Sequence, residues 1–102
     1  MTQIHEKRTL LTVITEAAIE ESVLNDLDKL GVSGYTVTDA RGRGGRGIRD
    51  AAWKEVANIR IEVICNRSLA ELALSHLQTH YYVNYAMVSF IQDVEILRPT
   101  KF

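Results

Sequence analysis

Apolar positions recur along this chain with two different periods, and the change of period marks the elements. "TLLTVIT", Thr9 to Thr15, is β-branched and apolar, and its length suits a buried strand. Ile19, Val23, Leu27 and Leu30 then follow at spacings of four and three, which places them on one face of a helix. Thr15 is the expected N-cap of that helix, with Glu16, Glu20 and Glu21 near the positive end of its dipole. Gly31 supplies the stop, because glycine tolerates the left-handed conformation that ends helices. "GYTVTD" returns to strand character. "NIRIEVIC" is a half-buried strand in which Ile59, Ile61 and Val63 alternate with Arg60, Glu62 and Ile64. Ser68 and Glu71 have capping-box spacing and predict a second helix, with Leu69, Leu72, Ala73 and Leu77 as its apolar face. "AMVSFI" predicts a fourth strand and "VEIL" a short further one, closed by Pro99.

The resulting order is βαββαβ. Two such units predict an α+β, ferredoxin-like fold: a four-stranded antiparallel sheet with both helices on one face. The other face stays uncovered in a monomer. The apolar content of the strands predicts that self-association buries it.

Length and charge narrow the function. At 102 residues the chain supports one domain, residues 1–102, and is too short for an enzyme with a separate cofactor domain. Its 46% apolar and 25% charged residues are those of an ordinary globular protein. A formal net charge of -1 argues against a protein that holds nucleic acid mainly through phosphate contacts. Cys65 has no second cysteine to pair with and is expected to pack as a small hydrophobe. No apolar run has the length of a signal peptide core or a membrane span, so a cytoplasmic protein is expected, with any membrane link made through a partner.

Against that near-neutral background, "ARGRGGRGIRD" stands out: residues 41–49 hold four arginines and four glycines. The loop from Asp39 to Ala57 far exceeds the two to five residues that usually close a hairpin, and such length marks function or disorder. Gly42, Gly44 and Gly47 satisfy G-x-G-x-x-G literally, but the helix and parallel sheet of a dinucleotide fold are not expected here, and no Walker sequence is present. Three readings stay open on composition. Glycines that turn successive N–H groups toward one anion, with arginine forks on its oxygens, make a phosphate cradle. A solvated loop is the second reading. An RNA-binding module using the Arg/Gly segment is the third, although no aromatic residue interleaves the arginines before Trp53.

"GYTVTDARGRG" resembles the second-strand signature of the PII signal-transduction superfamily, G-x-T-V-T followed by a glycine-punctuated T-loop. The length and element order agree over nearly the whole chain. "GRGIR" resembles "SRNVR" of the branch linked to inorganic carbon, which comprises bicarbonate-transporter regulators and carboxysome-associated PII proteins. "ANIRIEV" likewise resembles that branch's "ANIKFEI". The resemblance implies a homotrimer with adenine-nucleotide sites in the clefts between subunits and a T-loop, about residues 39–57, that reports the ligand to a partner. It assigns the phosphates to Arg46 and Arg49 and the loop base to Gly44 and Gly45, with Gly42 counted among the nucleotide-binding residues. Asn58 falls beside the pocket, Ala86 and Met87 near base and ribose, and Arg98 and Lys101 near a neighbouring subunit's site. "HYYVNYAMVSF" has no glycine where classical members have a glycine-rich loop, which points to ADP or AMP rather than tight chelation of a triphosphate. Bicarbonate is an expected second ligand, and a bicarbonate transporter or another carbon-assimilation protein an expected partner.

His76 and His80 share one helix face at a spacing that can hold a metal, but no further ligand lies along the helix, and a polar face is expected instead. Tyr81, Tyr82 and Tyr85 are expected in packing or a subunit contact. Trp53 is either an interface anchor or folded onto its own subunit. No nucleophile, base and orienter come together, and a regulator rather than an enzyme is expected.

Overall fold

A computed structural model describes residues 5–42 and 57–97. Strand β1 spans Glu6–Glu16, and a 3-10 turn over Ala17–Ile19 leads into helix α1, Glu20–Leu30. Strands β2 (Thr36–Ala40) and β3 (Asn58–Cys65), helix α2 (Arg67–His80) and strand β4 (Met87–Ile96) follow. The strands form one sheet in the order β2-β3-β1-β4, antiparallel throughout. This is the expected ferredoxin-like arrangement.

Register sorts the side chains by face. Leu11 lies opposite Val63 and Ile91, and Val13 opposite Ile61 and Ser89. With Ile59, these residues meet Val23 and Leu27 of α1 and Ala70, Ala73 and Leu77 of α2 in the buried core. Cys65 belongs to that core, where burial pushes its thiol up from the ordinary value. The intervening positions form the other face. There Leu10 lies beside Ile64 and Gln92, and Ile14 beside Arg60 and Val88.

Helix boundaries follow local chemistry, and two differ from expectation. Thr15 is no cap: it is buried in β1, and its hydroxyl donates to the Ala86 carbonyl at 3.1 Å. The strand runs on to Glu16 because β3 and β4 flank it on both sides, and α1 starts only after the 3-10 turn. At the far end Gly31 adopts φ 107. Its N–H reaches the Asp28 carbonyl, and the Val32 N–H reaches that of Leu27, the double closure of a Schellman motif. Asn66, not Ser68, caps α2. Its Oδ1 accepts from the Leu69 N–H at 2.9 Å and from the Ser68 hydroxyl at 3.0 Å, while Glu71 pairs with Arg67 one turn earlier. The buried face of α2 also differs from expectation: Ala70, Ala73 and Leu77 face the core, and Leu72 is 52% exposed. The two expected C-terminal strands are one, because ladder pairing with β1 is continuous from Thr15–Met87 to Glu6–Ile96.

Candidate functional site

Four chain segments end together at one end of the sheet. Ala40 at the close of β2 pairs with Asn58 at the start of β3, and Asn58 pairs in turn with Glu16 at the close of β1. Met87, opening β4, pairs with Thr15. Gly42 lies two residues beyond the end of β2. The structure therefore brings the described candidate residues, Gly42, Asn58, Ala86 and Met87, to the same end. It also divides them. β2 and β4 are opposite edges of the sheet, three strand spacings or about 14 Å apart, with the end of β1 between them. Gly44, Gly45, Arg46, Arg49, Arg98 and Lys101 lie outside the described residues, as does Trp53.

Ala86 is held tightly for an exposed residue. Besides the Thr15 hydroxyl on its carbonyl, its N–H donates to Glu16 Oε2 at 2.9 Å. Neighbouring tyrosines fix the approach to β4. The Tyr81 carbonyl accepts from the N–H groups of Asn84 and Tyr85, and Tyr82 OH accepts from the Ser89 N–H at 3.0 Å and lies 2.6 Å from its hydroxyl. From sequence, Thr15 and Glu16 read as a helix start. A β-branched residue followed by glutamate fits that reading locally, and only the sheet register shows that both sit beside Ala86 and Asn58.

The uncovered face has a polar half and an apolar half. On β2 and β3, Thr36 lies opposite Glu62 and Thr38 opposite Arg60. Arg60 Nε meets Glu62 Oε2 at 3.2 Å along the strand. On the β4 side, Val88 is 50% and Phe90 39% exposed. Between the halves lies Thr12, wholly buried, whose hydroxyl finds no partner among the described residues.

A second polar group lies on the helix side. Asp26 Oδ2 accepts from Tyr81 OH at 2.7 Å and lies 2.9 Å from His76 Nε2. Ser22 Oγ is 2.6 Å from the same tyrosine oxygen. Partial burial raises the Asp26 carboxyl, but hydrogen bonds from Tyr81 and His76, with the charges of His76 and Lys29, outweigh it and hold the group below the ordinary carboxylate value. Tyr81 moves up, chiefly by burial, with the neighbouring Asp26 adding to the rise against the Ser22 hydrogen bond. The His80 ring stacks on His76 with centroids 4.2 Å apart. His76 thus serves as a helix-to-helix tie, and among the described residues no group of three His, Cys, Asp or Glu side chains could hold a metal ion. A shallow cavity of about 500 Å³ beside α1 and Tyr35 is ringed by Glu20, Glu21 and Asp28, which disfavours an anion there.

No helix among the described residues is long and apolar enough to cross a membrane. The chain matches the family model of nitrogen regulatory protein P-II over residues 8–101. Among solved structures, a putative PII-like signaling protein from Thermus thermophilus is 35% identical with a TM-score of 0.81, over 96% of this chain and 97% of that one. CPII from Thiomonas intermedia K12, bound to ADP and bicarbonate, is 27% identical with a TM-score of 0.84, over 99% of both chains. The same protein bound to ADP, AMP and acetate matches at 27% identity and a TM-score of 0.84, over 97% of both chains. The expected likeness to the inorganic-carbon-linked branch agrees with these neighbours. The chain belongs to the nitrogen regulatory protein P-II family, as a PII-like regulator.

Proposed function

We propose that this protein is a homotrimeric sensor that binds ADP or AMP between subunits and reports the bound state through the loop joining β2 and β3. The whole chain acts as one PII-like domain. Binding, not catalysis, carries the signal. One observation carries this reading: the stem of the Gly/Arg loop and the start of β4 lie at the same end of the sheet but at opposite edges. A neighbour packed on the uncovered sheet face, with the start of its β4 beside the β2–β3 end of this subunit, would bring the two groups together around one ligand. The half-exposed Val88 and Phe90 supply apolar surface for that docking.

Roles follow from chemistry. Arg46 and Arg49 fork onto phosphate oxygens, and Gly42, Gly44 and Gly45 let loop N–H groups approach them. Asn58, Ala86 and Met87 line the remainder, and Arg98 and Lys101 reach toward a neighbour's site. The CPII structures with ADP, AMP and bicarbonate support adenine nucleotide as the ligand and bicarbonate as a second one. A nucleotide that binds one loop state better than another shifts the loop population, and a partner in inorganic-carbon uptake reads the shift.

Calorimetry of the full-length protein with AMP, ADP, ATP and cyclic AMP, each with and without bicarbonate, tests this. Saturable binding of ADP or AMP at about one site per subunit is expected. Replacing Arg46 and Arg49 together by Ala should weaken binding by at least about tenfold, given about 1.5–3 kcal/mol per charged hydrogen bond, without moving the melting temperature. A folded trimer that gives no heat with any nucleotide would overturn the reading.

A further inference from the structure

The contact between Glu16 and Ala86 has a chemical meaning beyond closing a strand ladder. The Ala86 N–H lies at the exposed start of β4, where the ladder with β1 has ended and no backbone carbonyl among the described residues answers it. Its acceptor is a carboxylate oxygen at 2.9 Å. A donor satisfied by an anion is one that another anion can compete for. Glu16 stands between the two groups of candidate residues, opposite Asn58 on one side and bonded to Ala86 on the other. Among the described residues, the nearest cation in register is Arg60, two positions along β3, and it is paired with Glu62.

We infer that Glu16 is an internal occupant of the ligand site, holding the Ala86 N–H when the site is empty and limiting how much negative charge the site accepts. This inference rests on the nucleotide reading above and deepens it, since it names a residue that grades nucleotides by phosphate number. The mechanism is plain electrostatics. A bound nucleotide must displace the carboxylate from Ala86 and then tolerate it nearby. Each added phosphate charge at a few ångströms loses about fivefold in affinity even at the dielectric of water. ATP is penalised most and AMP least. Because Glu16 is only partly buried, the discrimination weakens as salt rises.

The test is titration of ATP, ADP and AMP into the full-length wild type and into Glu16→Gln, Glu16→Ala and Glu16→Asp, at low and high salt. Melting temperatures check that each variant is folded. Glutamine keeps an acceptor for the Ala86 N–H but loses the charge, alanine loses both, and aspartate keeps the charge. The expected result is an ATP-to-AMP affinity ratio raised at least about fivefold in Glu16→Gln and Glu16→Ala, near wild type in Glu16→Asp, and converging among variants at high salt. A role confined to closing the ladder would change stability but leave that ratio unmoved. An unchanged ratio in both neutral variants, with nucleotides still binding, overturns the inference and spares the nucleotide reading. If no nucleotide binds the wild type or any variant, the reading itself falls and the inference with it.

Discussion

The two faces of the sheet carry apolar side chains from the same strands, yet only one face is finished. Toward the helices, Leu11, Val13, Ile59, Ile61 and Val63 are at most 2% exposed. On the opposite face, Val88 is 50% and Phe90 39% exposed, and Ile14 lies beside Val88 and Thr12 beside Phe90 in the ladder. A strand that alternates apolar with polar residues needs one covering layer. β1 and β4 do not alternate in that way, so they need two, and the helices among the described residues cover only one. The Thr12 hydroxyl, buried in the middle of this face and without a partner among the described residues, is a further sign of incompleteness. The difference teaches where stability and the proposed assembly would be encoded: the helix side makes the subunit, and the other side leaves the apolar surface on which the proposed trimer would form.

The largest expected effect comes from the finished side. Ile61 is completely buried between Val13 and Val37 in the ladder and beneath the helices. Ile61→Ala should cost about 2–5 kcal/mol of unfolding free energy, through lost burial and the cavity left behind. Chemical denaturation read by circular dichroism measures it. A loss below about 1 kcal/mol would mean that the helix side is less tightly packed than the burial says.

Phe90 on the uncovered face breaks the comparison the other way. Phe90→Asp puts a charge where a neighbour should dock, and it should shift the trimer to monomer by at least about a hundredfold in dissociation constant, from about 3 kcal/mol of lost burial and added desolvation. Sedimentation velocity reads the oligomer, and circular dichroism should keep its helix and sheet signature. A trimer that survives this change unaltered would show that assembly uses some other surface.

These assignments also show how much was legible in the residues. The succession of elements and the core face of β3 and α1 follow from periodicity, since burial on one side imposes a period on the side chains, whereas on α2 it misplaces Leu72, which is exposed, and misses Ala70, which is buried. Ile59, Ile61 and Val63 carry that signal without interruption. Three things were not legible locally. Thr15 and Glu16 satisfy the local requirements of a helix start as well as those of a strand end, and pairing with β3 and β4 decides between them. Ser68 and Glu71 have the spacing of a capping box, but Asn66 lies two residues nearer the strand and wins the Leu69 N–H. Asp26 and His76, 50 residues apart, reveal nothing until α1 and α2 pack. The candidate site was legible as residue types at the loop stem and the start of β4. That these stand at opposite edges, with Glu16 between them, is a property of strand order and appears only in three dimensions.

The smallest expected effect is the most useful control on the comparison. Leu72 is 52% exposed, as much as Val88, but it lies on α2, on the side where the helices already cover the sheet. If exposure of a large apolar side chain were itself the mark of an interface, Leu72 and Val88 would be equivalent. They differ in their surroundings. Val88 adjoins Ile14 in the ladder and has Phe90 two positions along the same strand face, whereas Leu72 follows Glu71, which is ion-paired with Arg67. A single exposed apolar residue loses little on becoming polar, while a patch loses the surface that a partner buries. Leu72→Gln should therefore change unfolding free energy by less than about 0.5 kcal/mol and leave the sedimentation profile that of the wild type. If Leu72→Gln dissociates the trimer as Phe90→Asp should, association runs through the helix layer and the uncovered sheet face must be assigned to some other contact.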